Sequence, residues 1–293
     1  SQLIREKTVQ DYNQKCQIHW WLSLSFYVKS FRTPWILANS DNTTAFAGLG
    51  YSVDSKVDSN GHIVLGCSHI YSSSGEGLKF KLARISNDKI QWRHRKPHLC
   101  YDDAYEFGKN IIELFYESMN ELPKRVVIHK RTYFTEEEKQ GIIDSISDNN
   151  KIESIDLIEI NFEDNIKYTS SKIVEGKACV DGFSVSRGSC ILLNSKEALL
   201  WAHGVVPSVR NPNFSFYPGG RYIPKPLRII KHYGVGSLEQ IANEILGLTK
   251  MNWNSLNMYS QLPATICSSN DIARIGKLID SNSKHEYDYR YFI

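Results

Sequence analysis

The side chains able to hold or attack a ligand fall into a few short strings of the 293-residue chain. Lys250, Asn252 and Asn254 alternate with Met251 and Trp253. That alternation puts polar groups on one face of an extended segment, an arrangement suited to phosphate contacts. Lys130 and Arg131 close a short apolar run and read either as a solvated strand end or as contacts to a nucleic-acid backbone. Arg274 and Lys277 lie one helical turn apart and share one edge of a helix. Lys29 ends an apolar helical stripe, where a cation suits the helix dipole. His69 and His129 sit on strand-like segments, and no Ser–His–Asp or Cys–His spacing accompanies them. The cysteines at 16, 67, 100, 179, 190 and 267 form no CxxC pair, so neither a zinc site nor a disulfide framework is expected. Reduced thiols and a cytoplasmic location are the simplest expectation.

Bulk composition narrows the class without choosing a function. The 35 Lys and Arg against 32 Asp and Glu leave a net charge of +3, too small to argue nucleic-acid binding by itself. A hydrophobic share of 41% with 23% charged residues excludes disorder, collagen and coiled coil. No run approaches the roughly 18 apolar residues of a membrane span. The length suits one large α/β domain or about two smaller ones. The chain opens on Ser1 without a signal-peptide pattern, as expected of a processed or truncated product.

These strings must be positioned by regular elements. Apolar residues at 20, 21, 24, 27 and 28 predict a helix over 17–28, stopped by Thr33-Pro34. Segments 44–53, 61–71 and 78–85 predict three antiparallel strands, the first two joined by a turn over 54–61 rich in Asp, Ser, Asn and Gly. Periodicity from Tyr101 to Met119 predicts a helix ended before Pro123. Segment 125–129 predicts a short buried strand, Thr135 to Glu138 a capping box opening a helix to about Ser147, and 152–160 a further strand. Later strands are expected at 189–193 and 199–206, and a loop over 207–224. A helix is expected after the Ser237–Gln240 capping box, and a last one from about Ser269 to Ile279. Three strands, helix, strand, helix, strand is the order of an RNase H-like α/β fold.

Five strings, in order and over nearly the whole chain, resemble the PIWI domain of Argonaute proteins. They are 29–35 (KSFRTPW), 45–52 (AFAGLGYS), 125–135 (RVVIHKRTYFT), 248–254 (LTKMNWN) with 262–274 (LPATICSSNDIAR), and the terminus 289–293 (YRYFI). The likeness is strongest to short prokaryotic Argonautes. It implies an RNase H-like PIWI domain over 37–293, with a mixed central sheet flanked by helices. Residues 1–36 would be the end of a MID domain and the MID–PIWI junction.

The resemblance also identifies where catalytic acids would sit. Active PIWI nucleases hold two Mg²⁺ ions on carboxylates, because paired metals stabilise both the attacking and the leaving oxygen. Those seats fall here at Gly50, Arg131 and Asn270. Glycine offers no ligand, Asn270 a neutral one, and Arg131 a cation where dications should bind. At roughly 4 Å and an effective dielectric near 20, each such repulsion costs several kcal/mol. A nuclease-dead module, not an enzyme, is therefore expected.

Binding is what remains. The resemblance implies a guide 5′ phosphate held by Gln17, Lys29 and the Ile293 carboxylate, with a Mg²⁺ shared between that carboxylate and the phosphate. Twelve residues separate Gln17 from Lys29, about 18 Å along an unbroken helix, so Lys29 is the better phosphate ligand. Ser25, one turn earlier, brings no charge. Lys130, Arg131, Lys250, Asn252, Asn254, Arg274 and Lys277 would follow the nucleic-acid backbone. The implied partners are a guide RNA, a DNA target and an APAZ-containing effector, sirtuin-like or TIR-like, in prokaryotic immunity. Two alternatives stand beside this one. The first is an active nuclease using displaced acids such as Asp54, Asp102, Asp103 or Asp271. The second is a PIWI-like scaffold that binds only protein.

Overall fold

The computed structural model describes residues 15–38, 43–53, 62–72, 75–77, 79–86, 90–93, 96–148, 151–168, 171–180, 185–206, 223–253, 259–276, 286–288 and 290. Asp54, Asn254, Lys277 and Ile293 lie outside them, as do the turn expected over 54–61 and most of the loop expected over 207–224.

A helix α1 (Lys15–Lys29) leads into three strands, β1 (Thr44–Val53), β2 (His62–Tyr71) and β3 (Lys79–Ser86). Two short strands, β4 (Gln91–Arg93) and β5 (Lys96–His98), precede α2 (Tyr101–Met119). Then come β6 (Arg125–Lys130), α3 (Glu136–Ser147) and β7 (Ser154–Phe162). The later half holds β8 (Ser171–Val174), β9 (Lys177–Val180), β10 (Cys190–Leu192), β11 (Glu197–Leu200), β12 (Leu227–Tyr233), α4 (Leu238–Leu248), α5 (Ala264–Gly276) and β13 (Glu286–Asp288).

Among the described residues, nine strands form one sheet in the order β10-β11-β12-β7-β6-β1-β2-β3-β13. The pairs β1–β2 and β2–β3 are antiparallel, whereas β1–β6 and β6–β7 are parallel. This mixed sheet is what the element order predicts.

Period-two alternation sorts the strand residues onto two cores. Ala45, Ala47 and Leu49 of β1, with Val126 and Ile128 of β6, pack beneath Phe107, Ile111 and Phe115 of α2 and Ile142 and Ile146 of α3. Phe46 and Val127 face the other way, toward Leu24 and Val28 of α1, Ile241 and Ile245 of α4 and Ala264 of α5. Helices therefore cover both faces, and each strand end delivers alternate residues to opposite sides.

Several expectations shift. The strand expected at 199–206 ends at Leu200. Trp201 still donates to the Ser189 carbonyl (2.9 Å), but Ala202 leaves the ladder, and Val205 turns its N–H to the Val185 carbonyl (2.9 Å). The last helix begins five residues earlier than expected, directly after Pro263, whose carbonyl accepts the Ile266 and Cys267 N–H groups. Proline suits that place because its missing N–H is one the first turn leaves unbonded anyway. The strand β12 and the β8–β9 hairpin have no counterpart in the sequence reading. The capping box at Thr135–Glu138 forms as expected: Thr135 Oγ1 accepts the Glu138 N–H and the Glu138 carboxylate accepts the Thr135 N–H.

Candidate nucleic-acid interface

The parallel strands β1 and β6 end side by side. Leu49 partners Lys130, so Gly50 and Arg131 lie one step further along the same pair. Gly50 belongs to the face that α5 covers. A Cβ added at Gly50 would meet the Ser269 carbonyl carbon at 2.6 Å and the Asn270 nitrogen at 2.8 Å. One added at Gly48 would run into the Thr265 carbonyl oxygen. The two glycines are what let α5 lie directly on β1. Gly50, Arg131 and Asn270, widely separated in sequence, are thus brought together.

Arg131 is half-buried and follows β6 onto the α5 side. Its guanidinium lies over the Phe162 ring, 5.4 Å from the centroid. It also acts on Cys267 of α5, whose thiol is pushed up to about 11 by burial and Asp271 while Arg131 pulls it down. Among the described residues no carboxylate pairs with Arg131. A planar fork stacked on a ring keeps its donors available for phosphate oxygens.

Lys130 corrects the expectation that it follows a nucleic-acid backbone. Alternation sends it to the opposite face, where it is fully buried. Its ammonium donates to Glu138 Oε1 at 2.5 Å and stands 3.3 Å from His98 Nδ1. Glu138 also accepts the Leu99 N–H (2.8 Å) and the Tyr51 hydroxyl (3.3 Å). Hydrogen bonding from His98 and the Lys130 charge hold this carboxyl down at about 2 despite burial. Lys130 is part of the support beneath the site, not its surface.

The neighbouring His129 faces α5, with Nδ1 2.9 Å from Thr265 Oγ1. Burial, with the Arg125 charge adding, lowers its pKa to about 3, so it is neutral in the fold. The unfolded chain binds that proton near 6.5. Stability therefore falls as pH drops from 6.5 toward 3, because only the unfolded state takes up the proton. Glu138 behaves as a depressed acid, whose contribution is lost between about 4.5 and about 2. Urea midpoints at pH 7 and pH 5 should differ, and His129→Gln should flatten the change between them.

A second constellation forms where α1 joins the sheet. Trp35 donates its indole N–H to the Lys250 carbonyl (2.9 Å) and meets Trp253 edge-on, with ring centroids 6.3 Å apart. Arg290, three residues before the end of the chain, pairs with Glu76 (3.0 Å) and lies over the Phe31 ring at 5.4 Å. Thr33 donates to the same Glu76 carboxylate (2.8 Å). Residues 31–35, the segment after α4 and Arg290 therefore converge. Lys29 closes α1 and donates to Ser25 Oγ at 3.0 Å. Partial burial lowers its pKa. Gln17 lies near the other end of this unbroken helix, consistent with a separate contact. Lys250 is exposed, and Asn252 donates to Ser260 Oγ (3.4 Å).

Two further residues join this region that the sequence did not single out. Arg187 donates to Thr249 Oγ1 (2.5 Å) and the Leu246 carbonyl (3.2 Å), capping α4, and stacks on Tyr259 with 4.3 Å to the ring centroid. His203 packs edge-on against the same ring at 5.5 Å. Burial lowers its pKa and Arg187 lowers it further. Arg187 sits in a turn-prone stretch that reads as loop, and nothing local in the sequence marks it.

The displaced acids have other work. Asp102 and Asp103 lie in the first turn of α2, where the dipole favours them, and Asp103 accepts the Cys100 thiol (3.2 Å). Asp271 is exposed and pairs with Arg274 at 3.0 Å, which also occupies the cation expected to follow a backbone. Among the described residues no three His, Cys, Asp or Glu side chains gather as a metal-binding group. No described helix is long and apolar enough to cross a membrane.

No protein-family model matches the sequence, and neither does any curated protein. Solved structures do match. A crystal structure of A. aeolicus Argonaute superposes on all of this chain with a TM-score of 0.65 at 20% identity. Clostridium butyricum Argonaute, bound to a guide DNA and a target DNA, does so with 0.68 at 19%. Aa-Ago with externally bound siRNA gives 0.60 at 18%. The fold is that of the RNase H-like PIWI region of Argonautes. The chain spans 37%, 35% and 36% of these three proteins' own lengths. The convergence of Phe31 to Trp35, the segment after α4 and Arg290 lies within this PIWI-type frame.

Proposed function

We propose that this chain is a PIWI module that holds a 5′-phosphorylated guide, an RNA, and offers it to a complementary DNA target without cutting either strand. The observation that carries this reading is the convergence at the MID–PIWI junction. Trp35 docks on Lys250, and Arg290 docks on Phe31, two residues from Lys29. The Lys29 region, the polar segment after α4 and Arg290 thus surround one volume. Lys29 meets the 5′ phosphate, and Arg187, His203, Lys250 and Asn252 line the way onward, reading backbone rather than bases. The Ile293 carboxylate and the guide phosphate would together offer Mg²⁺ an all-oxygen donor set, which suits that hard cation. The A. aeolicus and C. butyricum structures with bound siRNA or guide and target DNA support nucleic acid as the ligand class.

Loss of cleavage rests on the strand ends. Gly50 leaves no side chain and no space for one against α5, and Arg131 brings a cation to the second seat. Arg131 then neutralises target phosphate where metals would otherwise stand. Target recognition passes to an APAZ-containing effector, sirtuin-like or TIR-like, in defence against plasmids or phage.

Filter binding with 5′-phosphorylated and 5′-hydroxyl forms of one RNA tests the reading. The phosphorylated form should bind more tightly, and Lys29→Ala should weaken it about tenfold or more, the scale of one charged hydrogen bond, while leaving the hydroxyl form unchanged. Equal binding of both forms contradicts the proposal. Metal-dependent cutting of a matched target, abolished by Asp271→Ala, would replace it with the displaced-acid nuclease.

A further inference from the structure

Among the described residues, the strand β10, at the far end of the sheet from β13, has a partner on one side only. Its ladder bonds run through alternate residues. Trp201 N–H donates to the Ser189 carbonyl and Leu193 N–H to the Glu197 carbonyl, both at 2.9 Å. These bracket the Ile191–Leu199 partners. Antiparallel alternation therefore turns the N–H and C=O of Cys190 and Leu192 outward, to an open edge. Natural edges are usually blunted by charge or proline. This one reads GSCILLNS over 188–195, without either, and Ile191, Leu192 and Leu193 are each more than two-fifths exposed.

A groove of about 320 Å³ runs flush with that edge, between β10 and α4. Cys190, Leu192 and Leu200 form its floor, and Ala242 and Leu246 its wall. Glu239, in the first turn of α4, is its single charge and makes no ion pair among the described residues. Outward backbone groups beside a groove for alternate side chains are the two halves of a strand-addition site.

We infer that β10 and its groove bind an extended segment of a separate polypeptide, which adds as a tenth strand. Its alternate apolar side chains enter the groove, and a lysine or arginine meets Glu239. Glu239, without an ion pair among the described residues, favours a segment that carries a cation. A second copy pairing through its own β10 is the poorer occupant, because a three-residue strand repeated across a two-fold axis falls well short of the roughly 1,200–2,000 Å² that stable interfaces bury. The groove uses none of the side chains placed around the guide, and it meets them only through the Leu246 carbonyl, which accepts from Arg187 (3.2 Å).

The test uses the full chain, labelled for amide NMR, with two probes: acetyl-Thr-Val-Thr-Lys-Thr-Val-Thr-amide and the same peptide with Glu for Lys. The Lys peptide should slow exchange at the Cys190 and Leu192 amides and bind at least about tenfold more tightly than the Glu peptide. Glu239→Lys should invert that preference. Leu192→Pro deletes one outward N–H but no ladder bond, so it should weaken both peptides and leave RNA binding and thermal stability as they were. Equal binding of the two peptides, or no binding of either, overturns the inference. So does edge protection that rises with protein concentration alone, which would assign the edge to a second copy.

Discussion

Glu138→Ala should lower unfolding stability by about 3–5 kcal/mol, the range for leaving one partner of a buried ion pair uncompensated. Lys130 is fully buried, and Glu138 is its counter-charge. The same carboxylate accepts the Leu99 and Thr135 N–H groups, so its loss also leaves two buried donors unpaired and removes half of the α3 cap. Replacing both members together, Lys130→Met with Glu138→Leu, should recover only part of the loss, because it removes the uncompensated charge but still leaves the Leu99 and Thr135 N–H groups without their acceptor. Urea unfolding of the three variants measures this. A single-variant loss below about 1 kcal/mol would show that the pair is not the support described. The pair matters to function through position: it fixes the end of β6, and Arg131 is the next residue.

The second large effect concerns the seat itself. Gly50→Ala should destabilise the fold by about 1–3 kcal/mol, the usual cost of overpacking. The neighbour that must yield is helix backbone at 2.6–2.8 Å, not the tip of a flexible side chain. Gly50→Asp should cost more, and Gly50→Asp with Arg131→Asp should still not cut a guided target in Mg²⁺. Thermal unfolding and a labelled-target assay read the two outcomes. A stable double variant that cuts would mean the seat had kept its geometry and lost only its side chains. On the proposed reading, with α5 seated directly on β1, it lacks both.

Much of this was legible in the sequence because the relevant signals are local. Strand β1 and helix α2 fall where alternation and helical spacing put them, and the Thr135 cap forms from four consecutive residues. The positions of Gly50, Arg131 and Asn270 also follow, since each sits at the end or within the body of an element with a clear pattern. What local pattern could not carry was sidedness. Lys130 and Arg131 are adjacent and chemically alike, yet the pleat sends one into the core and the other onto the α5 face. Only the parallel register with β1 and the packing of α2 and α3 decide which. Arg187 and His203 were hidden for a different reason: the Tyr259 ring that gathers them lies more than fifty residues further on, and only the tertiary fold brings the three together. The early start of α5 was missed because its first turn reads as an apolar strand end until Pro263 is taken as a helix opener.

The central claim is that a guide strand is held and not cut. Extracting nucleic acid from the protein purified from its native host, with end-labelling and nuclease digestion, tests it most directly. A module that holds its guide should yield short strands of uniform length, 5′-phosphorylated and sensitive to RNase, depleted when Lys29→Glu protein is purified in the same way. Protein that carries no strand, and acquires none when incubated with 5′-phosphorylated RNA, would contradict the claim and leave the protein-binding scaffold as the better reading.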